Sequence, residues 1–215
     1  MIISPSRSIR RLLLPLLCVA TLGVTTVQAA STPLPRVVTA VGRHQLQVDG
    51  KPYLILGAQV NNSSGWPDML PAVWPAIEAL HANTVQVPIG WGQVEPTQGQ
   101  FDFSFLDTLV TQAREHDVRL VLLWFATWKN NGPNYAHSWV KLDNTRYPRV
   151  VKKDGSTLGS LSPLGTATLE ADRNAFVALM KHLRQIDGDR HTVIMVQVEN
   201  ESGTYGSDRD YSAAG

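Results

Sequence analysis

The sequence predicts an α/β protein: a parallel sheet with outer helices, closing as a (β/α)8 TIM barrel of which only the first four βα units are present. Three observations carry that expectation. From residue 54 onward, short apolar strand patterns alternate with stripes at helical spacing. The glycine-rich loop of a nucleotide-binding open sheet is missing, because Gly90-Trp91-Gly92 runs on to Glu95 where that fingerprint needs glycine. Polar and aromatic residues collect instead just past the second, third and fourth strands, at the C-terminal ends where barrel enzymes build their sites.

The elements follow in order. Residues 1–30 read as an export signal: Arg7, Arg10 and Arg11 precede an apolar run over 12–24, and Val27-Gln28-Ala29 gives a small-x-small cleavage pattern. That run is short for a bilayer span. Cleavage near Ala30 would remove those three Arg and no acidic residue, taking the formal charge from +1 to −2. It would also remove Cys18, the single cysteine, so the mature chain could form no disulfide and would rely on a packed core. Residues 31–43 read as a linker, and residues 44–215 as the N-terminal half of a catalytic barrel. Residues 44–55 alternate apolar and polar around Asp49-Gly50, a hairpin signature.

A short apolar strand covers 54–60 and a helix 71–81, with Val73, Trp74, Ile77 and Leu80 on one face and Pro75 in the first turn. The second strand covers 84–87. Ser104 caps a helix whose Leu106, Leu109, Val110 and Ala113 share a stripe. Residues 119–125 form an almost unbroken apolar run, as in a strand buried on both faces. A polar excursion over 129–164 follows, with Trp139 and Tyr147 hinting at a lid or subsite loop. A helix over 168–186 carries Leu169, Phe176, Leu179, Met180 and Leu183, and residues 193–198 make the fourth buried strand.

Composition excludes several functions. A near-neutral mature domain has no electrostatic footprint for nucleic acid or for an anionic membrane. The six histidines have no metal-ligand spacing, there is no Gly-x-Ser-x-Gly elbow, and no cofactor is implied. What remains is Gln197-Val198-Glu199-Asn200-Glu201, where an apolar strand runs directly into two carboxylates. A buried carboxylate is costly unless it is paired or neutralised, so such a strand end asks for a chemical reason. A strand simply leaving the core for water is the plainer explanation.

A second segment favours chemistry. Asn83-Thr84-Val85 leads to Trp91, Glu95-Pro96, Gly99 and Phe101-Asp102-Phe103. With Asn200-Glu201 closing the fourth strand, the arrangement resembles the β-galactosidase-type families, 35 and 42, of the large clan of retaining glycoside hydrolases. The likeness spans roughly residues 44–206. It implies that Glu201 is the general acid/base, that Asn200 hydrogen-bonds the sugar 2-hydroxyl, and that the nucleophile lies past Gly215. Retaining hydrolysis needs such an acid with a raised pKa and a second carboxylate about 5 Å away. Trp91 and Trp128 are candidates either to stack on sugar rings or to pack the core, and Glu95 is a candidate substrate contact or a residue that fixes its loop through a hydrogen bond or salt bridge. Two departures bear on specificity. Pro88 stands where family 35 members carry Tyr, and Ala126-Thr127-Trp128 stands where they carry Ala-Glu-Trp.

The expectation is an exo-acting β-galactosidase-like enzyme, periplasmic or secreted, with a β-glycoside as its partner and no membrane contact after signal cleavage. The alternatives are an endo-acting hydrolase of the same clan and a non-catalytic carbohydrate-binding remnant. A truncated sequence, inactive by itself, is also expected.

Overall fold

The computed structural model describes Met1, residues 32–130 and residues 132–215; the expected export signal lies outside the described residues. A three-stranded antiparallel sheet comes first, made of β1 (Arg36–Ala40), β2 (Arg43–Val48) and β3 (Lys51–Pro52). Asp49 and Gly50, both at positive φ, make the tight turn between β2 and β3. Within residues 31–43, expected to be a linker, Arg36–Ala40 is instead a strand that pairs residue by residue with β2, from Arg36 opposite Gln47 to Ala40 opposite Arg43.

The main sheet has four strands in the order β4 (Gly57–Gln59), β5 (Thr84–Gly90), β6 (Arg119–Phe125) and β9 (Val193–Val198), all parallel. Between them run α1 (Leu70–Ala79), α3 (Ser104–Glu115) and α5 (Thr166–Asp187), with a short α2 (Trp91–Val94) straight after β5. β9 leads into turns and bends through residue 215. The described residues therefore hold three complete βα units and the strand of a fourth, where four units were expected.

Local chemistry explains the elements. Asp102 accepts from the Ser104 N–H at 2.9 Å and starts α3, a role the sequence gives to Ser104 itself. Pro88 sits inside β5 but past the pairing with β4, which ends at Gln59 opposite Gln86, so its missing N–H breaks no ladder bond. The buried row of α5 is Thr168, Asp172, Ala175, Leu179, Leu183 and Asp187. Leu169, expected on the packed face, is exposed instead, as is Leu80.

The core divides across the sheet. Leu120, Leu122 and Trp124 of β6 face the helices and meet Leu109, Ala113, Leu179 and Leu183. Val121, Leu123 and Phe125 face the other way, toward Ile194 and Val48 of the N-terminal hairpin. Full burial of each such side chain contributes about 1.5–3 kcal/mol, so the helix-side cluster dominates stability. The hairpin is also tied down by charge: Asp49 accepts from Arg119 at 2.7 Å and pairs with His191 at 2.8 Å. Within the 129–164 excursion lie α4 (Ser138–Lys141) and an antiparallel hairpin of β7 (Arg149–Val151) and β8 (Thr157–Leu161). Asp210 anchors that hairpin, accepting from the Val151 N–H and the Ser162 hydroxyl. β4 and β9 are the edges of the main sheet, and Val198 is left 60% exposed.

Candidate active site

Parallel strands deliver their C-terminal ends to one rim, and the candidate residues are read there. Glu199, Asn200 and Glu201 follow the last residue of β9, and residues 126–130 follow β6, its neighbour. Both glutamates adopt positive φ, 63° at Glu199 and 53° at Glu201. Left-handed backbone at a non-glycine residue is uncommon and persists where surrounding contacts over-determine it.

The two glutamates have opposite environments. Glu199 is turned into the protein: its carboxyl accepts from the Trp128 N–H at 2.8 Å and from the Thr127 N–H at 3.2 Å, and bonds to Asp172. Burial, followed by the Asp172 contact and charge, pushes its pKa up to about 9. Glu201 faces solvent, with its side chain 48% exposed. It accepts from Lys129 Nζ at 3.3 Å and from the Asn130 N–H at 3.0 Å. The Lys129 contact, then the Asn130 N–H, hold its carboxyl below the usual carboxylate range. Sequence reasoning gave the raised pKa to Glu201; in the described residues it belongs to Glu199. The reason is physical: Glu201 lies at the open rim beside a cation, while Glu199 lies against α5 beside an acid.

Asn200 accepts from Gln197 Nε2 at 3.0 Å, and its side chain also bonds to Glu201. Trp128 is 8% exposed and borders a cleft of about 600 Å³ shared with Pro163, Leu164, Ser202, Thr204 and Arg209. Ser202 is the neighbour of Glu201 in sequence, so this cleft lies beside the candidate acid. A larger cavity, about 1070 Å³, runs instead along β9 and the C-terminal half of α5, away from the rim.

Trp91 lines no cavity at the rim, and Glu95 borders a separate cavity of about 460 Å³ with Gln98, Phe101 and Trp139 that Glu199, Asn200 and Glu201 do not line. Trp91 is fully buried and meets Trp139 edge-on at 5.5 Å. Its Nε1–H donates to one Glu95 carboxylate oxygen at 2.7 Å, and the Gly99 N–H donates to the other at 2.7 Å. Glu95 thus braces the loop after α2, and the segment carrying Tyr135 and Trp139 covers Trp91; the Gly92 N–H donates to the Tyr135 carbonyl. Of the two roles open to these residues, the geometry in the described residues is that of a buried brace. Tyr147 is buried on Trp139 with its hydroxyl unpartnered, and burial raises its pKa.

Asp172 is the residue that sequence reading missed. It accepts from Trp124 Nε1 at 2.9 Å and from the Thr127 hydroxyl and N–H. The available signal was a carboxylate in register with Ala175, Leu179 and Leu183 on the packed face of α5. Among the described residues no group of three or more His, Cys, Asp or Glu is arranged to hold a metal ion. No described helix is long and apolar enough to cross a membrane.

A parallel α/β sheet with two glutamates and a tryptophan at its C-terminal rim defines a class of protein: a strand-end carboxylate site on a helix-backed sheet. Comparison with known proteins narrows the class. The glycoside hydrolase family 42 model, described as Beta-galactosidase, matches residues 72–214, and the chain belongs to that family. It is 30% identical over 193 residues to a β-galactosidase of Xanthomonas manihotis, covering 86% of this chain and 30% of that protein. It is 28% identical to β-galactosidase 8 of Oryza sativa subsp. japonica, covering 96% of this chain and 29% of that protein. The chain thus spans about 30% of the length of the curated relatives it matches. Among solved structures it is similar to the exo-β-1,4-mannosidase Op5Man5 from Opitutaceae bacterium strain TAV5, with TM-score 0.50 and 18% identity. That match covers 71% of this chain and 26% of the mannosidase chain, and bears on fold alone.

Proposed function

We propose that this chain is the acid/base-bearing part of an exported retaining β-glycosidase of galactosidase type, built on the first half of a (β/α)8 barrel. Glu201 acts as general acid/base, Asn200 binds the sugar beside it, and Trp128 forms a wall of the sugar site. The nucleophile comes from a segment outside these 215 residues. The substrate is a terminal β-linked sugar of an oligo- or polysaccharide. The observation that carries this reading is the placement of Glu199-Asn200-Glu201 at the C-terminal rim beside Trp128, in a chain of the β-galactosidase family.

The mechanism must account for a carboxyl that is ionised in the described residues. The Lys129–Glu201 pair is long, at 3.3 Å, and open to solvent on the Glu201 side, so it is a weak contact that a ligand can displace. A retaining site sets a second carboxylate about 5 Å from the acid. A like charge at that range, in a pocket closed by sugar, favours the protonated form strongly. Glu201 would then protonate the leaving oxygen as the nucleophile attacks, and afterwards take a proton from the water that hydrolyses the glycosyl-enzyme.

Thr127 tempers the galactose assignment. It stands where family 35 members carry Glu, and its hydroxyl is already engaged in donating to Asp172. A panel of aryl β-glycosides reads the preference directly. The decisive test is Glu201→Gln in the complete enzyme. Turnover of substrates with poor leaving groups should fall about 10²–10⁴-fold while activated aryl glycosides lose less. Near-wild-type turnover of the poor substrates refutes the assignment. Saturable sugar binding with no turnover in either form would instead make the protein a carbohydrate-binding one.

A further inference from the structure

We propose that Glu199 and Asp172 share one proton and thereby fix the backbone of Thr127 and Trp128, which makes them positioning residues for the sugar site. This rests on the glycosidase reading only for its activity readout.

The geometry converges from two elements onto one loop. Asp172 comes from the packed face of α5 and Glu199 from the end of β9, yet both accept the Thr127 N–H, each at 3.2 Å. Glu199 adds the Trp128 N–H, while Asp172 adds the Thr127 hydroxyl and the Trp124 indole. Two ionised carboxyls in contact here would repel across a site with little water. With one proton, Glu199 donates O–H to Asp172 and still accepts both backbone N–H groups, so every polar group is matched. Glu199 has left-handed backbone, φ 63°, and its side chain reaches Asp172 on α5. Burial and the neighbouring acid both favour the protonated form of Glu199.

Other charges around the pair are accounted for. Lys129, on the same loop, reaches Glu201 and lies over the Phe125 ring. Glu170 and Arg173 of α5 are exposed, and Glu95 is engaged by Trp91 and Gly99. Asp172 is the charge that bears on Glu199. When the shared proton leaves for solvent at high pH, the pair separates and releases residues 127–128, and with them the Trp128 wall.

The test uses the complete enzyme with Glu199→Gln, followed by tryptophan emission and kcat from pH 7 to 10. The amide can accept from the Trp128 N–H and donate to Asp172 but cannot titrate, so kcat at pH 7 should stay within a few-fold. The alkaline emission transition of the wild type should disappear. The same transition should persist in Glu201→Gln, whatever that variant does to activity, which separates this proposal from the assignment of the acid. Asp172→Asn, which sets an amide N–H against donors, should lower kcat about 10-fold with KM little changed. An unaltered emission transition in Glu199→Gln overturns the proposal, as does a kcat loss there as deep as that of Glu201→Gln. Should Glu199→Gln not fold, infrared spectroscopy of the wild type decides: a buried protonated carboxyl band at pH 7 supports the pair, and its absence overturns it.

Discussion

Glu95→Gln separates a structural brace from a sugar contact. Glu95 is 4% exposed, and its two carboxylate oxygens each receive one N–H at 2.7 Å, from Trp91 and from Gly99. Hydrogen bonds to a charged group contribute about 1.5–3 kcal/mol each, and a buried donor left unmet costs about 1–3 kcal/mol. Glutamine keeps one acceptor and turns the other into a donor facing a donor. The remaining bond also loses its charge assistance. The expected loss is about 2–3 kcal/mol of stability, or roughly 4–12 °C in the unfolding midpoint of a domain this size. KM for an aryl glycoside should move little, because both carboxylate oxygens are engaged by Trp91 and Gly99. Thermal unfolding beside steady-state kinetics reads both quantities. An unchanged midpoint with a tenfold higher KM would refute the brace and restore Glu95 as a substrate contact.

Two further outcomes follow. Glu199 has a folded pKa of about 9 against an unfolded 4.5, so the folded state holds a proton that the unfolded state releases. Its stabilising contribution is complete below about pH 4.5 and is lost as pH rises toward 9, with a limiting slope of about 1.4 kcal/mol per pH unit. Urea unfolding midpoints across that window should therefore fall more steeply in the wild type than in Glu199→Gln, and equal slopes would contradict the assignment. Export predicts that N-terminal sequencing of the protein recovered from outside the cytoplasm starts near Ala30; an intact Met1 there would argue against cleavage.

Much of the fold was legible because apolar runs mark strands, although only β6 is buried on both faces: β9, expected to be buried, is an edge with Met195 and Val198 exposed. Residues 119–125 and 193–198 read as strands from their apolar runs alone, and they coincide with β6 and β9. The Asp49-Gly50 turn was equally plain, since few residue pairs supply two positive φ angles. β1 was missed because Arg36–Ala40 is largely exposed and gains its order from pairing with β2, a long-range fact that local pattern does not carry. The β7–β8 hairpin was hidden for the same reason, since buried Asp210, far along the chain, anchors it. Trp91 and Glu95 were recognisable as a motif, but only packing tells a brace from a binding wall.

The rim shows how two glutamates one residue apart come to differ. Both Glu199 and Glu201 have left-handed backbone, and one carboxyl bonds to Asp172 on α5 while the other is half exposed to solvent. Environment alone then separates their protonation, as it does wherever one site runs acid and base chemistry together. Glu199, protonated against Asp172, holds the loop after β6 in place; that same loop supplies Lys129 and the Asn130 N–H that keep Glu201 ionised. The two carboxyls therefore bear on one loop, residues 127–130, through separate contacts. Any group that draws Lys129 away from Glu201 raises the proton affinity of Glu201, and it can do so without disturbing Glu199, whose contacts go to backbone and to Asp172. A sugar hydroxyl or an incoming carboxylate at the rim would act on Glu201 alone.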